Sequence, residues 1–374
     1  MLDLIKIRHE LHSIAEISGK EEKTSNFIIK ALERLKPDSI QVISGSVVAV
    51  FKGKVKGKTT AFRADMDALP ASESKRLSYK SKNPKVSHLC GHDGHSAILL
   101  GLGEKISSDR PEKGKIVLIF QSAEETGHGA KKLISNKAFK ELKIDEIYGF
   151  HNIPGYDVGK ILLKDGVFAS ASTGMTIKFT GKTSHASQPE KGISPVPAIS
   201  WLIRYLDKIT ADQKKYFKSK VLITIVGLKA GKKDFGISPD KGELYLTLRA
   251  CSDDDIQEMI DMIEAETRKV SDMSGLIYKI NFQENFSAVE NDHSLTEKLK
   301  DLCKNKSIKY EILKEAFTWS EDFSYFGNIA TSCFIGIGSG KDHAPLHSAE
   351  YDFCDKIIGQ AVNLLFEMTK SDSD

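Results

Sequence analysis

The sequence has no apolar run near the roughly 20 residues that a membrane span requires. Its start, Met1 to Leu11, is amphipathic rather than signal-like. No membrane association is expected, and the chain reads as cytoplasmic. Net charge is nearly absent: 54 Lys and Arg stand against 51 Asp and Glu, leaving +3. Such a balance offers no field to attract nucleic acid or an anionic membrane. Cysteine is scarce, with five residues at 90, 251, 303, 333 and 354. An odd, scattered set excludes a disulfide framework and fits a reducing compartment. A phosphate loop is missing as well, because the glycines of Gly336 to Lys341 are followed by Asp342 rather than Ser or Thr. The lysines between Lys52 and Lys58 are broken by glycine and read as a solvated hairpin tip.

What is present is 374 residues, 40% hydrophobic, enough for two domains with sizeable cores. The densest chemistry lies in Ser87 to His95, S-H-L-C-G-H-D-G-H. Cys90 and His92 flank a glycine that lets the backbone pass close to an ion, so both can reach one metal. The apolar spacing from Ile98 to Ile106 puts this cluster on a loop at the mouth of a helix. Other candidates recur where strands end. Asp65 and Asp67 follow the β-rich run Thr59 to Arg63 and share a face at strand spacing, as metal ligands or as acceptors for ligand histidines. Glu124 and Glu125 leave the apolar run Lys115 to Gln121, which suits one carboxylate for a metal and the other for a bound water. His151 closes the short strand Glu146 to Phe150, and His347 follows a strand and a loop. Ligands at the ends of successive strands mark an α/β sheet site.

From the first residues the pattern gives two helices broken near Ser18-Gly19, then a hairpin of Val47 to Phe51 with Thr59 to Arg63. Between 173 and 286 the texture becomes β-α-β-β-α-β, a compact ferredoxin-like α+β domain inserted into the first pattern. Residues 1–172 and 287–374 then form one α/β domain with a central mixed sheet flanked by helices. Inside the insert, His185 follows a strand and either reaches over the site or caps a turn.

Seven segments in this order, R-H-E-L-H-S-I-A-E-I-S, R-A-D-M-D-A-L-P, C-G-H-D-G-H, Q-S-A-E-E, H-A-S-Q-P, S-E-D-F-S-Y-F and P-L-H-S, resemble the metal-dependent aminoacylase and carboxypeptidase family. The resemblance covers essentially the whole chain. It points to the amidohydrolase branch that holds hippurate hydrolase, auxin-conjugate amidohydrolases and N-acetyldiaminopimelate deacetylase. It implies a hydrolase with two divalent ions, zinc or manganese with cobalt and nickel as further options, and a lid domain that also forms a homodimer. By motif, Cys90, His92, Glu125, His151 and His347 would hold the ions, Cys90 as the bridge. Glu124 would be the general base, and His185 would stabilise the oxyanion in the partner subunit. Arg249 matches an arginine that could bind a substrate carboxylate, with a surface salt bridge as the alternative. The implied substrate is an N-acyl amino acid or related small amide. A dipeptidase or carboxypeptidase, and a catalytically silent binding protein, are the competing readings. Departures fall mostly in the lid: Gly236-Ile237-Ser238-Pro239 replaces a usual Asn-Val-Ile-Pro, Ser194 a usual aspartate and Ala15 a usual proline.

Overall fold

A computed structural model describes residues 2–370. The chain divides into two units, one of residues 1–168, 289–315 and 321–374, the other of 169–288 and 316–320.

The first unit is built on an eight-stranded sheet in the order Ser39–Ile43, Ser46–Lys52, Lys113–Gln121, Val55–Asp65, Glu146–Pro154, Thr331–Gly340, Ile161–Leu163, Tyr310–Ile312. Its middle is parallel, since Val55–Asp65 pairs in that sense with Lys113–Gln121 and with Glu146–Pro154, which in turn pairs so with Thr331–Gly340. The sheet is mixed because Ser46–Lys52 joins its edge antiparallel to Lys113–Gln121. Val117, Leu118, Ile119 and Phe120 are all fully buried in sequence. A strand covered on both faces needs such an unbroken apolar run. Helices Leu4–Ser13, Glu22–Leu35, His92–Ser108 and Ile358–Lys370 share a core with the sheet through Leu11, Leu32, Leu99, Leu102 and Leu365.

Two expectations are corrected here. Ser46–Lys52 and Val55–Asp65 do not form a hairpin, because Lys113–Gln121 inserts between them and pairs with both. The local turn is there, but the more apolar strand, arriving some fifty residues later, takes both edges. Asp67 does not lie on the strand, which ends at Asp65, so its orientation comes from the following loop.

The second unit is an antiparallel sheet of Val221–Ala230, Lys241–Ala250, Ala171–Thr180 and Ile277–Phe286, in that spatial order. Helices Val196–Ala211 and Asp253–Ser274 bury Leu202, Leu206, Met259 and Ile263 with the alternating inward residues Leu244, Leu246 and Leu248. This is the β-α-β-β-α-β arrangement. The short segment 316–320, separated in sequence, joins this unit because the Ser170 N–H donates to the Phe317 and Trp319 carbonyls, 3.0 Å each. Asp253–Ser274 opens on Ser252, whose hydroxyl accepts the Asp255 N–H, and closes on Gly275 at φ 67°.

Asp255 itself accepts the Lys218 and Ser219 N–H groups and the Ser219 hydroxyl, at 3.0, 2.9 and 2.6 Å. Asp255→Ala orphans them and is expected to destabilise the second unit by about 2 kcal/mol. Urea unfolding followed by tryptophan fluorescence tests this, since Trp201 and Trp319 both lie in that unit.

Candidate metal centre

The candidate ligands gather at the carboxyl ends of the parallel strands, where an open α/β sheet exposes a crevice. Gly91 precedes the helix His92–Ser108 at φ 96°, and a Cβ there would lie 2.4 Å from Asn152 Oδ1 and 2.5 Å from Tyr351 Oη. Only glycine fits. The turn leaves Cys90 just outside the helix and sets His92 and His95 on its first turn, their rings 5.5 Å apart.

His92 Nδ1 donates to the Asp67 carbonyl (3.0 Å) and Oδ1 (3.2 Å), which turns Nε2 toward Asp65 Oδ2 at 3.7 Å and Glu125 Oε1 at 3.8 Å. His151 Nδ1 donates to the Asn152 carbonyl at 2.8 Å, and its Nε2 is 3.4 Å from Cys90 Sγ. His347, held at φ 64° by its N–H to the Leu89 carbonyl, sets Nε2 3.7 Å from Glu125 Oε1. Ligand atoms of Cys90, Glu125 and His347 fall within 4.8 Å of one another, as do those of His92, Glu124 and Glu125. Cys90, His92, Glu124, Glu125, His151 and His347 are thus brought together; Asp67 lies on the Nδ1 side of His92, and Asp65 on its Nε2 side, in a further such group with His95 and His151.

The carboxylates leave the sheet through a strained turn. Ala123, with no glycine to help, sits at φ 56°, which costs on the order of 1 kcal/mol for an L-residue. Beyond it, the Glu125 N–H donates to Asp67 Oδ2 at 3.0 Å, and Ala130 N–H to Asp322 Oδ2 at 2.9 Å. Glu124 turns the other way, its Oε1 3.5 Å from the Asp322 N–H.

Charge in this site is unbalanced. Fully buried Arg63 binds Asp65 (2.8 Å), Glu321 (2.9 Å) and Asp322 (3.0 Å), yet carboxylates still outnumber it. Burial, with Glu321 and Glu125 nearby, raises the Glu124 pKa well above the ordinary value. Burial also lifts Glu125 to about 7 against the pull of His92, and pushes the Cys90 thiol up beside Glu125 and Glu124. His92 goes to about 10, because Asp65 and Asp67 outweigh its burial. Burial lowers His151 and His347, keeping both imidazoles neutral and able to ligate. A dication would displace the protons that these acids retain. His92 Nε2 and Glu125 Oε1, both buried, have no hydrogen-bond partner among the described residues. Thiolate, imidazole and carboxylate donors with two orphaned atoms facing one another fit divalent metal.

The model of peptidase family M20/M25/M40 matches residues 61–371. The chain belongs to this family. It is therefore a hydrolase, and named relatives include amidohydrolases. Hippurate hydrolase of Campylobacter jejuni is 31% identical over 96% of this chain and 93% of its own length. N-acetyl-L-cysteine deacetylase of Bacillus subtilis is 31% identical over 98% of this chain and 87% of its own. The fold matches that of a Bacillus subtilis protein described as a dinuclear metal-binding peptidase of the M20 family, with a TM-score of 0.83 at 24% identity, covering 98% of this chain and 96% of that one.

Two candidates lie in the second unit. His185 is exposed on the two-residue strand Ser184–His185, which pairs with Ile237–Ser238, and its Nδ1 is 2.7 Å from Ser187 Oγ. The departure at Gly236 to Pro239 therefore supports the backbone of His185 directly. Arg249 Nη1 donates to the Thr318 carbonyl and Ser320 Oγ, 3.0 Å each, and makes no ion pair among the described residues. The surface salt bridge offered for it is not present.

Several site residues escaped the sequence reading. His95 links Asp65 (2.6 Å) to Asn152 (2.7 Å), and Arg63, Glu321 and Asp322 form the charged floor beside Glu124. Behind the metal helix, Asp93 takes Arg8 Nε at 2.9 Å and His12 Nδ1 at 2.8 Å, while His12 Nε2 meets Glu73 at 3.0 Å. Each lies inside a motif already quoted or beside one, but only contacts far apart in sequence reveal its role.

Burial opposes charge on His12, yet its hydrogen bonds to Asp93 and Glu73 overcome this and raise the pKa from 6.5 to about 9. The stability this cation contributes is complete below the unfolded value and is lost as pH rises through the folded one. The melting-temperature gap between the wild type and His12→Gln should accordingly be wide near pH 6 and narrow near pH 10. A gap that does not change with pH would show that His12 carries no charge in the fold.

Proposed function

We propose that the protein hydrolyses the amide bond of an N-acyl amino acid or related small amide at a centre of two divalent ions. The observation that carries this reading is the pairing of Glu124 and Glu125 at one turn. Glu125 faces Cys90, His92 and His347, while Glu124 faces the floor of Glu321 and Asp322. A site that only held metal would need the first carboxylate and not the second.

In this reading Cys90, His92, Glu125, His151 and His347 would hold the ions, and Asp65 and Asp67 would orient histidines of the cluster. Bound there, two dications supply Lewis acidity that polarises an amide carbonyl and lowers the pKa of a water. One thiolate and one carboxylate against two dications leave about two positive charges for that purpose. Glu124 takes a proton from the attacking water and returns it to the leaving nitrogen. Burial and the neighbouring Glu321 raise its pKa, which favours its acceptance of the proton from water. Zinc or manganese suits the mixed sulfur, nitrogen and oxygen donors, with cobalt and nickel also compatible.

The second unit is proposed as a lid that forms a homodimer, with His185 stabilising the oxyanion and Arg249 near the substrate carboxylate. Exposed His185 supports that role. A cytoplasmic setting belongs to the same reading, supported by five cysteines that are all free thiols. No helix among the described residues is long and apolar enough to cross a membrane.

The test is turnover of N-acetyl, N-benzoyl and dipeptide substrates by protein stripped of metal and reloaded with zinc, manganese, cobalt or nickel. Metal-dependent release of the free amino acid from acylated substrates is expected. Preferential cleavage of dipeptides would replace this reading with a peptidase. Glu124→Gln should lower kcat by about 10³-fold with both ions retained, as read by metal analysis. Cys90→Ala should lose metal and activity together. Sedimentation of the wild type should give a dimer, and a monomer with full activity would remove the partner role of His185.

A further inference from the structure

The turn that presents Glu124 and Glu125 is held by a carboxylate that the hydrolytic chemistry does not use. Glu21 occupies the N-cap position of helix Glu22–Leu35, yet its side chain makes no capping bond. Glu16 takes that task, its Oε2 accepting the Lys23 N–H at 2.8 Å and the Thr24 N–H at 2.9 Å. Glu21 instead turns inward, is 5% exposed, and accepts the Ala123 N–H at 2.8 Å and the Gly19 N–H at 2.7 Å through Oε1.

Ala123 is the residue at φ 56°. An L-residue stays in that region only where its surroundings over-determine it. Its carbonyl accepts the Gly129 N–H at 3.0 Å, and the adjacent Ser122 N–H donates to Ser46 Oγ at 3.1 Å. A Cβ on Gly129 would stand 1.8 Å from the Ser122 carbonyl oxygen, so the far side of the turn is closed as well. Glu21 is thus the side-chain partner of the strained residue's own N–H. Were Ala123 to relax to negative φ, the chain direction of Glu124 and Glu125 would change together.

We propose that Glu21 is a positioning residue, whose bond to Ala123 keeps the turn in the left-handed conformation that sends Glu124 and Glu125 to different tasks. It touches neither substrate nor ion, and acts through the backbone. The turnover part of the test rests on the amide-hydrolase reading above; the exchange and cobalt-binding parts do not.

The experiment compares Glu21→Ala, Glu21→Asp and Glu21→Gln with the wild type, at a temperature where circular dichroism shows each folded. Glutamine keeps an oxygen acceptor at the same reach. Aspartate keeps the charge but withdraws the oxygen by one methylene. Hydrogen exchange in a peptide covering 121–125 should be slow in the wild type and Glu21→Gln, and faster in the other two. With the same grouping, kcat should fall about 30-fold while KM moves little, and cobalt affinity of the metal-free chain should drop about tenfold. Should Glu21→Ala fail to fold, Glu21→Asp decides. A folded Glu21→Asp with wild-type exchange, cobalt affinity and kcat overturns the proposal. So does a fall in melting temperature alone, which would make Glu21 a stability residue only. If the wild type cleaves no substrate in the panel, the functional reading fails, and exchange with cobalt binding still decides the role of Glu21.

Discussion

Asp65, Asp67, Glu124, Glu125, Glu321 and Asp322 are gathered at the ends of the parallel strands with Arg63 as the fully buried arginine among them. Six carboxylates and one guanidinium cannot share so small a volume fully ionised, since each buried charge needs a partner. Protons relieve part of the conflict: burial and Glu321 raise Asp322 to about 8 even though Arg63 opposes the shift. Dications relieve the rest at lower cost, because they also satisfy His92 Nε2 and Glu125 Oε1. Positive charge bound in this crevice would therefore stabilise the fold, and metal affinity and stability should be linked.

Such a crevice has to be stiff from behind, or its ligands would swing to relieve the repulsion. The helix His92–Ser108 is held there by Arg8, which binds Asp93 and also pairs with Asp352, and by His12 between Asp93 and Glu73. These five residues come from the first helix, the 70–90 loop, the metal helix and the chain near 352. None of them touches the ions in the proposed mechanism. They fix a helix whose second residue, Asp93, immediately follows the candidate ligand His92.

Legibility in the sequence followed the range of the interaction. The run Lys115 to Gln121 and the helical spacing after His95 report local burial, so strands and helices were readable from residue type alone. The candidate ligands were readable as a group because chemistry-bearing residues cluster at strand ends, and because the motifs fall in a recognised order. Pairing was not readable: a Lys/Gly tip between two β-rich runs suggests a hairpin, and nothing nearby announces that Lys113–Gln121 will displace it. For the same reason His12 passed as a helix residue and Asp93 as part of a motif, and Glu73 was not singled out. The segment 316–320 is the same case, joined to the second unit by bonds from Ser170 and Arg249.

Glu124 and Glu125 illustrate how one residue type acquires two roles. They are adjacent and chemically alike, yet burial lifts Glu125 to about 7 against the pull of His92, whereas burial, Glu321, Glu125 and Asp322 all raise Glu124. Environments that push two carboxyl groups apart are how a single site obtains both an anion and a proton carrier. The one with histidine and thiol neighbours is suited to stay ionised against a cation. The one facing other acids is suited to hold a proton and release it. Their separation starts at the backbone, at Ala123 and its left-handed φ. A strand continued in regular geometry would alternate their faces without bringing both within reach of His92. The turn is what allows His92, Glu124 and Glu125 to meet within 4.8 Å while their far sides differ.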